Sequence, residues 1–514
     1  MLLRFVRGAL DRSPLAVRAV ARERTQASCL HFPRGACLKY TNHASLPSTS
    51  AGAGAPLHFC VVGSGPAGFY ATERLLKQLG SVASVSLLDR LPHPYGLVRT
   101  GVAPDHADTK NVIKQFQRAA QHPNFHFFGN VNVGQDISVA ELQSCYHAVI
   151  LAYGAESHNK LNVAGEDLRG VLSAREFVEW YNGHPDAQDL PVNLNSVQAV
   201  AICGLGNVAV DCARILLQKP ARLEFTDIAE HALAQLRCSA VRSLHLIGRR
   251  GVTQAAFTPK ELRELVTLPN VHVHMADDDL LLDEAEQAEL KIMRMKRRIY
   301  DIIANAAKSP DPPGAERSLH LDFKRSLAAI HGGSDGQVEA LDLEVNDLVR
   351  DPVKGTVRAQ GTGRLQHLQC DMILGSIGYC SVPLPGVPFD SRKGIIPNSL
   401  GRVLRGDETS TPTAVPGLYT VGWVKRGPTG IIGSNLVDAQ QTVECIKEDI
   451  GRLPPLRAHR VGAAALQELL QKRCCRAVSF ENWSRIDAVE VSRGLMVGKP
   501  REKFTSASAM LACL

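Results

Sequence analysis

Two segments of the chain repeat the same order of apolar and polar positions. Residues 57–62, LHFCVV, form a short apolar run that ends in glycine, and PAGFYATERLLKQL then spaces its apolar residues as a helix does. Residues 198–203, QAVAIC, followed by GLGNVAVDCARIL, repeat this order. Apolar runs at 85–89 and 243–248 predict the next strand of each unit. The pattern therefore predicts an α/β fold with two strand–turn–helix units.

Later apolar runs indicate how the two units are connected. Residues 147–154 predict a further strand of the first unit, and the runs at 370–379 and 417–435 return to strands that end in glycines. Residues 305–318, NAAKSPDPPGAERS, predict an exposed loop, because proline and glycine at this density interrupt helices and strands. We therefore expect the second unit, 158–368, to be inserted into the first, which comprises 57–157 and 369–514 with a C-terminal extension.

The turns after the two first strands carry glycines in a dinucleotide-binding pattern. In G-x-G-x-x-G the first glycine makes the tight turn, the second lets the backbone approach a pyrophosphate, and the third lets helix and strand pack closely. Gly63, Gly65 and Gly68 meet all three requirements. In the second unit Gly204 and Gly206 are followed by Ala209, whose methyl group still allows close packing. Both units are therefore Rossmann-like.

The residues that end the second strands differ in charge between the two units. Asp89, 21 residues after Gly68, stands where an acid binds ribose hydroxyls. Arg249 and Arg250 stand at the corresponding end in the second unit. Guanidinium groups accept no hydrogen bond from a 2′-hydroxyl, but they bind a 2′-phosphate through charge-assisted bonds. We therefore expect FAD in the first unit and NADPH in the second; the alternative is a solvated arginine pair.

The net charge of +7 is concentrated in the first fifty residues. This segment holds eight Lys or Arg against Asp11 and Glu23, and the rest of the chain carries 50 basic and 49 acidic side chains. An Arg-rich, acid-poor leader is typical of a mitochondrial transit peptide, here expected at 1–52, with a basic tail as the alternative. We expect a protein of the mitochondrial matrix with no nucleic-acid partner, and nothing indicates peripheral membrane association.

The thirteen cysteines are scattered, and no C-x-x-C occurs. This argues against a disulfide reductase of the thioredoxin or glutathione class, which needs a redox cysteine pair near its flavin. The N-terminal cysteine cluster of a glutamate synthase small subunit is also missing. A flavin- and NADPH-dependent monooxygenase or another NADPH oxidase-type flavoprotein stays open as an alternative, as does a nucleotide-binding protein without enzymatic activity. We expect free thiols and no metal site.

Seven separated motifs resemble those of the mitochondrial NADPH:adrenodoxin (ferredoxin) reductase family. They are VVGSGPAGFY, GLVRTGVAPDH, GLGNVAVDCARILL, LIGRRG, AFTPKELREL, GWVKRGPTGIIG and GKPREK. The likeness runs from about residue 57 to the C-terminus and is weak from about 275 to 365. It implies a glutathione-reductase-type fold with the NADP domain inserted into the FAD domain, and electron transfer from NADPH through FAD to a small two-iron ferredoxin.

The resemblance also implies positions of cofactor contact. Flavin contacts would fall on Ala67, Asp89, Leu97, Val133, Trp423, Gly430, Ile431 and Ile432, and NADPH contacts on Gly206, Asn207, Val208, Ala209, Arg249, Arg250, Glu261 and Gly430. Asp89 departs from the family, which often has Glu there, and Ser434 and Asn435 inherit no role. Trp423 replaces an Asp common in related flavoproteins; an ordinary core aromatic is the alternative.

The remaining implied residues concern catalysis and docking. His106 and Asp211 resemble a polar pair that the family keeps beside the flavin and nicotinamide, although hydride transfer needs no general base. Electrostatic docking of an acidic ferredoxin would use Lys260 and Arg263, or the cluster Arg294, Lys296, Arg297 and Arg298. For His106 the alternative is a structural histidine, for Asp211 a helix-terminal carboxylate, and for each basic cluster a solvated face.

Overall fold

The computed structural model describes residues 56–310, 312–351, 353, 355–406, 411–456 and 461–514. The transit peptide expected at residues 1–52 lies outside the described residues. All elements below belong to one compact unit.

The strands of the described residues are, in chain order, β1 (Leu57–Val62), β2 (Ala83–Leu88), β3 (Phe125–Phe128), β4 (Ala148–Leu151), β5 (Ser157–His158), β6 (Val171–Ser173), β7 (Ala199–Cys203), β8 (Ser243–Gly248), β9 (Val271–His274), β10 (Arg317–Phe323), β11 (Arg325–Gly332), β12 (Val338–Arg350), β13 (Val357–Gln369), β14 (Met372–Gly375), β15 (Tyr379–Cys380), β16 (Asn398–Ser399), β17 (Arg402–Arg405) and β18 (Thr413–Thr420).

The α-helices of the described residues are α1 (Pro66–Leu79), α2 (Leu97–Thr100), α3 (Ile113–Ala120), α4 (Val139–Cys145), α5 (Ala174–Asn182), α6 (Asn207–Leu217), α7 (Glu230–Arg237), α8 (Pro259–Val266), α9 (Glu284–Ile292), α10 (Arg294–Lys308), α11 (Trp423–Arg426), α12 (Ser434–Asp449), α13 (Gly462–Lys472), α14 (Phe480–Met496) and α15 (Ala507–Ala512).

The first sheet has seven strands in the order β16-β17-β18-β4-β1-β2-β3. The strands from β18 to β3 run parallel, and β16 and β17 add an antiparallel edge. Strand β2 is buried along its whole length, and alternate residues of β1 and β2 belong to apolar clusters on the two faces. A parallel sheet covered on both faces requires continuous apolar strands, as the sequence has here.

The second sheet is entirely parallel, in the order β6-β14-β7-β8-β10-β9. Its strands lie between residues 171 and 375, whereas the first sheet is built from 57–151 and 398–420. The predicted insertion of one α/β unit into the other is therefore confirmed. Helices α5, α6, α8 and α10 contribute to the apolar cluster on one face of the second sheet.

The two chain crossings between the sheets lie side by side. Strand β5, on the way into the second unit, pairs antiparallel with β15 on the way out. The predicted boundary at 368 is wrong, because β14 pairs in parallel with β6 and β7 and so belongs to the second sheet. The apolar run 370–379 carries no local sign of which sheet it joins.

The second unit also carries an antiparallel three-stranded sheet of β11, β12 and β13. It packs through Ile330, Leu341 and Leu343 on the apolar face of the second sheet that includes Ala201 and Ile373. The loop predicted over 305–318 is shorter than expected, since α10 continues to Lys308 and β10 begins at Arg317. The three prolines of that segment all follow residue 309, which leaves its first residues free to be helical.

A buried ion cluster joins the first unit, the second unit and the C-terminal extension. Asp227, in the second unit, contacts Lys110 Nζ at 2.6 Å and Lys503 Nζ at 3.1 Å. Although burial opposes it, Lys503 and Lys110 hold the pKa of Asp227 well below its ordinary value. Burial lowers the pKa of Lys503 to about 7, against the attraction of Asp227. One carboxylate thus serves two buried ammonium groups from distant segments.

All eleven described cysteines are free thiols, and six of them are buried. This agrees with the expectation of free thiols. Among the described residues no helix combines the length and apolar character that a membrane crossing requires.

We predict that Asp227→Asn lowers the free energy of unfolding by about 3–5 kcal/mol, because it leaves two buried lysines without their counter-charge. Urea unfolding followed by circular dichroism measures the change. Asp335→Asn is the matched control. Asp335 is exposed, and its ion pair with Arg169 is long at 3.9 Å, so the expected change in the free energy of unfolding is below about 0.5 kcal/mol. Equal stability of both variants would contradict this role of Asp227.

Candidate functional site

The first glycine turn connects β1 to α1. A Cβ on Gly68 would lie 1.9 Å from the carbonyl oxygen of Gly63, and a Cβ on Gly63 would lie 2.6 Å from that of Ala152. Gly63 also has a φ of 103°, in the region that favours glycine. A Cβ on Gly65, in contrast, would meet no protein atom within 4 Å. The turn is therefore closed on its protein side and open above Gly65, where a phosphate needs space.

Asp89 lies directly after β2 and is hydrogen-bonded to the turn. Its Oδ2 accepts hydrogen bonds from the backbone N–H, at 3.0 Å, and the hydroxyl of Ser64. Its Oδ1 accepts one from the N–H of Leu91 at 3.0 Å. Burial raises the pKa of Asp89, and these hydrogen bonds oppose the rise. Oδ1 accepts only one of these bonds and keeps a second lone pair for a ribose hydroxyl, so Asp89 both holds the turn and can receive a sugar. Ser64 was not anticipated.

Three of the expected flavin contacts gather around this turn. A Cβ on Gly422 would lie 2.5 Å from the Cβ of Ala67, and Trp423 follows Gly422 as the first residue of α11. Leu97 begins α2 directly after Gly96, whose Cβ would lie 3.0 Å from Gly65 Cα. The ring of Trp423 lies 5.3 Å from that of Tyr379. The starts of α1, α2 and α11 thus meet beside the first turn and line a cleft there.

The other expected flavin contacts lie in two segments that hydrogen bonds connect to Asp89 and to Gly422. Val133 is buried in the chain segment that follows Val131, whose N–H donates to the carbonyl of Asp89. Gly430, Ile431 and Ile432 precede α12; Ile431 is 70% exposed and its N–H donates to Ser434 Oγ. Helix α12 is fixed to the cleft because Asp438 accepts the N–H of Gly422 at 2.5 Å. Ser434 and Asp438 are structural partners that the sequence did not single out.

The second glycine turn, between β7 and α6, has the same construction. A Cβ on Gly204 would lie 2.1 Å from the carbonyl oxygen of Ser376, whereas a Cβ on Gly206 would meet no protein atom within 4 Å. Ala209 is fully buried, as expected for the third position. Val208, between them in the first turn of α6, is half-buried. The N–H groups at the start of α6 therefore face open space beside Gly206.

Helix α8 covers this opening from the other side. Asn207 Oδ1 accepts the backbone N–H of Thr258 at 2.8 Å, which fixes the start of α8 beside the start of α6. The buried atoms Thr258 Oγ1 and Glu261 Oε2 have no hydrogen-bond partner within the protein. Buried polar atoms without partners are rare, and here they border an open glycine turn. This arrangement suits a polar ligand between α6 and α8.

Arg249 and Arg250 follow β8 and are both exposed. Their backbone carbonyls accept hydrogen bonds from Asn346 Nδ2 at 3.1 Å and from the N–H of Lys324 at 3.1 Å. Neither guanidinium forms an ion pair with a described residue. The backbone of the pair is therefore held in place while both cationic groups are available to an anion.

The predicted pair His106 and Asp211 lies within a larger polar cluster. His106 Nδ1 is 3.9 Å from Asp211 Oδ1, and its Nε2 is 2.7 Å from Glu264 Oε2. Arg214 contacts Asp211 at 2.8 Å and Asp105 at 2.7 Å. Burial raises the pKa of Asp211, and the charge of Arg214 opposes this rise. The cluster joins the 104–106 segment of the first unit to α6 and α8 of the second.

Glu264, like Asp105 and Arg214, is a member of this cluster that sequence reasoning missed. It follows Glu261 at the i+3 position of α8, so the two carboxylates share one side of the helix. That spacing is visible in the sequence PKELREL. The bond to His106 joins residues 158 positions apart and is not visible in the sequence. The spacing therefore shows that Glu261 and Glu264 share one face of α8, but it does not show what that face contacts.

The expected docking cations lie on α8 and α10, which pack against each other. Lys260 is 58% exposed and lies 4.0 Å from Asp108, and Arg263 is exposed. On α10, Arg294, Arg297 and Arg298 are exposed, whereas Lys296 forms an ion pair with Glu289 at 2.7 Å. The cations of α8 thus border the His106 cluster, and the exposed cations of α10 lie on the helix packed against α8.

The two sheets, each with an open glycine turn at the carboxyl end of a central strand, define a pyridine-nucleotide oxidoreductase of the two-dinucleotide class. Residues 57–254 match the family model described as pyridine nucleotide-disulphide oxidoreductase. The solved structure of Mycobacterium tuberculosis FprA in complex with NADPH is 39% identical, with a TM-score of 0.82, and the match covers 89% of this chain and 99% of that one.

Curated relatives extend the match over nearly the whole chain. Mitochondrial NADPH:adrenodoxin oxidoreductase of Arabidopsis thaliana is 46% identical over 462 residues, which cover 89% of this chain and 95% of that protein. The Homo sapiens protein of the same name is 45% identical over 467 residues, covering 88% and 91%. The chain belongs to the NADPH:adrenodoxin oxidoreductase family.

We predict that Gly65→Ala gives a folded protein that no longer retains a dinucleotide in the first site. The new methyl group meets no protein atom, so the fold is kept, but it occupies the space above the turn. Visible absorbance of bound flavin after gel filtration measures retention, and circular dichroism measures folding. Gly451→Ala is the control, because its Cβ also meets nothing but lies outside the turn. Full flavin retention in Gly65→Ala would show that the opening is not used.

Proposed function

We propose that this chain is an FAD-containing enzyme that passes electrons from NADPH to a small two-iron ferredoxin of the adrenodoxin type. The observation that carries the proposal is the opposite charge at the ends of two otherwise equivalent strands. Asp89 ends β2 beside one open glycine turn, and Arg249 with Arg250 ends β8 beside the other. The family of the chain supports the same assignment.

FAD occupies the first site and NADPH the second. Flavin accepts a two-electron hydride from nicotinamide and releases single electrons, which is the conversion that a ferredoxin requires. The FAD contacts are Gly63, Gly65, Ala67, Gly68, Asp89, Leu97, Val133, Trp423, Gly430, Ile431 and Ile432. The NADPH contacts are Gly204, Gly206, Asn207, Val208, Ala209, Arg249, Arg250, Glu261 and Gly430.

Each site uses charge and helix geometry in its own way. The starts of α1 and α6 direct unpaired N–H groups and a positive dipole end to the phosphates. Glu261 Oε2, buried and without a partner, accepts a hydrogen bond from the sugar or amide of NADPH. Trp423 lies against the flavin and excludes water. The chain thus binds, orients and dehydrates two cofactors, and no protein group needs to remove a proton.

His106 and Asp211 position the region between the two cofactors. Glu264 holds one ring nitrogen of His106 at 2.7 Å, and Asp211 lies 3.9 Å from the other. The cluster therefore sets the orientation of the imidazole and joins the two units beside the path of the hydride. We assign both residues to the active site in this positioning role.

The ferredoxin docks on the exposed cations of α8, with those of α10 as an extension. Two-iron ferredoxins of this type are acidic, and transient redox partners associate through steered electrostatic contacts. Arg263 is exposed and forms no ion pair with a described residue, so its charge is available to a partner. The Arg-rich leader and the names of the relatives support a mitochondrial location, for which we infer the matrix.

A reductive titration tests the proposed function. The purified protein should be yellow, anaerobic NADPH should bleach it, and NADH at the same concentration should bleach it much more slowly. Addition of an adrenodoxin-type ferredoxin should then support reduction of cytochrome c. A colourless protein, or stoichiometric hydrogen peroxide with no transfer to any ferredoxin, would contradict the proposal and favour an oxidase.

We predict that the double variant Arg249→Ala, Arg250→Ala raises the Michaelis constant for NADPH by roughly a hundredfold or more and leaves that for NADH unchanged. Each charge-assisted bond to the 2′-phosphate contributes about 1.5–3 kcal/mol. Ferricyanide reduction with each coenzyme measures the change. Arg242→Ala is the control, since Arg242 is an exposed arginine at the opposite end of β8. Unchanged coenzyme preference in the double variant would remove the basis for assigning NADPH to this site.

We predict that Arg263→Glu raises the Michaelis constant for ferredoxin by roughly tenfold at low salt, because it places a repulsive charge in the docking surface. NADPH-dependent reduction of ferricyanide should persist. Arg485→Glu, an exposed arginine on α14, is the matched charge reversal and should change neither activity. A parallel loss of both activities in Arg263→Glu would identify a structural residue instead.

A further inference from the structure

The three-stranded sheet of β11, β12 and β13 carries two histidines and an aspartate on one face. Asp342 on β12 is paired with Ala329 on β11 and with His367 on β13. His331 is paired with Ala340, two residues from Asp342, which places it diagonally opposite Asp342. Side chains alternate between the faces of a strand, so these three point to the same side. None of them belongs to the dinucleotide sites.

The carboxylate of Asp342 lies between the two imidazoles. Its Oδ2 is 2.7 Å from His331 Nε2, and its Oδ1 is 2.9 Å from His367 Nδ1. The three potential ligand atoms all lie within 4.8 Å of one another. The side chains of His331 and His367 are 47% and 60% exposed, and that of Asp342 is 21% exposed. A dissolved ion can therefore reach all three groups directly.

We propose that His331, Asp342 and His367 form a binding site for a divalent transition metal of the zinc type. Two imidazoles and one carboxylate are a common donor set for such ions, and they leave further coordination positions for water. Calcium and magnesium prefer oxygen ligands, so the two imidazoles select against them. Ligand atoms on one zinc ion lie about 3.3 Å apart, which rotation of the exposed imidazoles about their side-chain bonds can reach from the present spacing.

The surrounding structure favours this assignment. An aspartate carboxylate is ionised at neutral pH, as metal binding requires. The three ligands come from three adjacent strands, so one ion would connect β11, β12 and β13. Strand β12 continues to Asn346, which donates to the carbonyl of Arg249 at 3.1 Å. The metal would thus strengthen the sheet that supports the arginine pair.

The sequence analysis did not single out this group, because its members are far apart along the chain. His331 and Asp342 are 11 residues apart, and Asp342 and His367 are 25 apart. No short His or Cys motif joins them. Only the strand register brings the three side chains together.

Isothermal titration of the chelator-treated full chain with Zn²⁺ tests the site, with Ni²⁺ as a second probe that has less preference for thiols. We compare the unchanged protein with His331→Ala, His367→Ala and Asp342→Asn. Each variant should lose one equivalent of bound metal, or bind that equivalent at least tenfold more weakly. Added Zn²⁺ should raise the unfolding temperature of the unchanged protein but not that of the variants.

Leu365→Ala is the matched control, because Leu365 is exposed on the same face of β13 and offers no ligand. It should bind metal as the unchanged protein does. Circular dichroism and flavin absorbance verify that every variant is folded. The proposal is overturned if the three ligand variants bind Zn²⁺ and Ni²⁺ with the stoichiometry and affinity of the unchanged protein, or if the unchanged protein binds neither ion.

Discussion

Both nucleotide sites depend on a helix that begins in contact with the strand before it. At the first turn the helix approaches so closely that a Cβ on Gly68 would overlap the carbonyl of Gly63, and at the second the fully buried Ala209 occupies the corresponding position of α6. This contact directs the N–H groups of α1 and α6 into the openings beside Gly65 and Gly206. In our proposal the charge at the end of the next strand then selects the nucleotide. Similar packing with different terminal charges would thus give two sites of different specificity in one chain.

Helix α8 lies at three parts of the molecule: the second glycine turn, the His106 cluster and the surface that we assign to the ferredoxin. Its buried side presents Glu261 to the second nucleotide site and Glu264 to His106 of the first unit. Its exposed side carries Lys260 and Arg263. Eight residues thus contact the donor site, the region between the two cofactors and the surface that we assign to the acceptor. A partner that bound this helix would therefore lie beside the His106 cluster.

The sequence predicted those features that depend on local pattern. The apolar runs identified β1, β2, β7 and β8, and the glycine spacing identified the two turns that are open at Gly65 and Gly206. The different specificities inferred from Asp89 and the arginine pair stay a prediction. Pairing between distant segments was not predictable in this way. The edge of the second unit was misplaced because β14 is as apolar as the strands of the first sheet. Only its pairing with β6 and β7 shows that it belongs to the second sheet. Glu264 was missed for the same reason, since its contact with His106 arises from the packing of two units.

The position of β18 has a consequence for the order in which the protein folds during synthesis. Strand β18 lies inside the first sheet, between β17 and β4, although it follows the whole second sheet along the chain. During synthesis every strand of the second sheet therefore leaves the ribosome before β18, which the first sheet needs in its interior. Domains generally fold as units while the chain is being made. We therefore expect the inserted NADPH-binding unit to fold first. The first sheet then gains β18 beside a unit that is already folded.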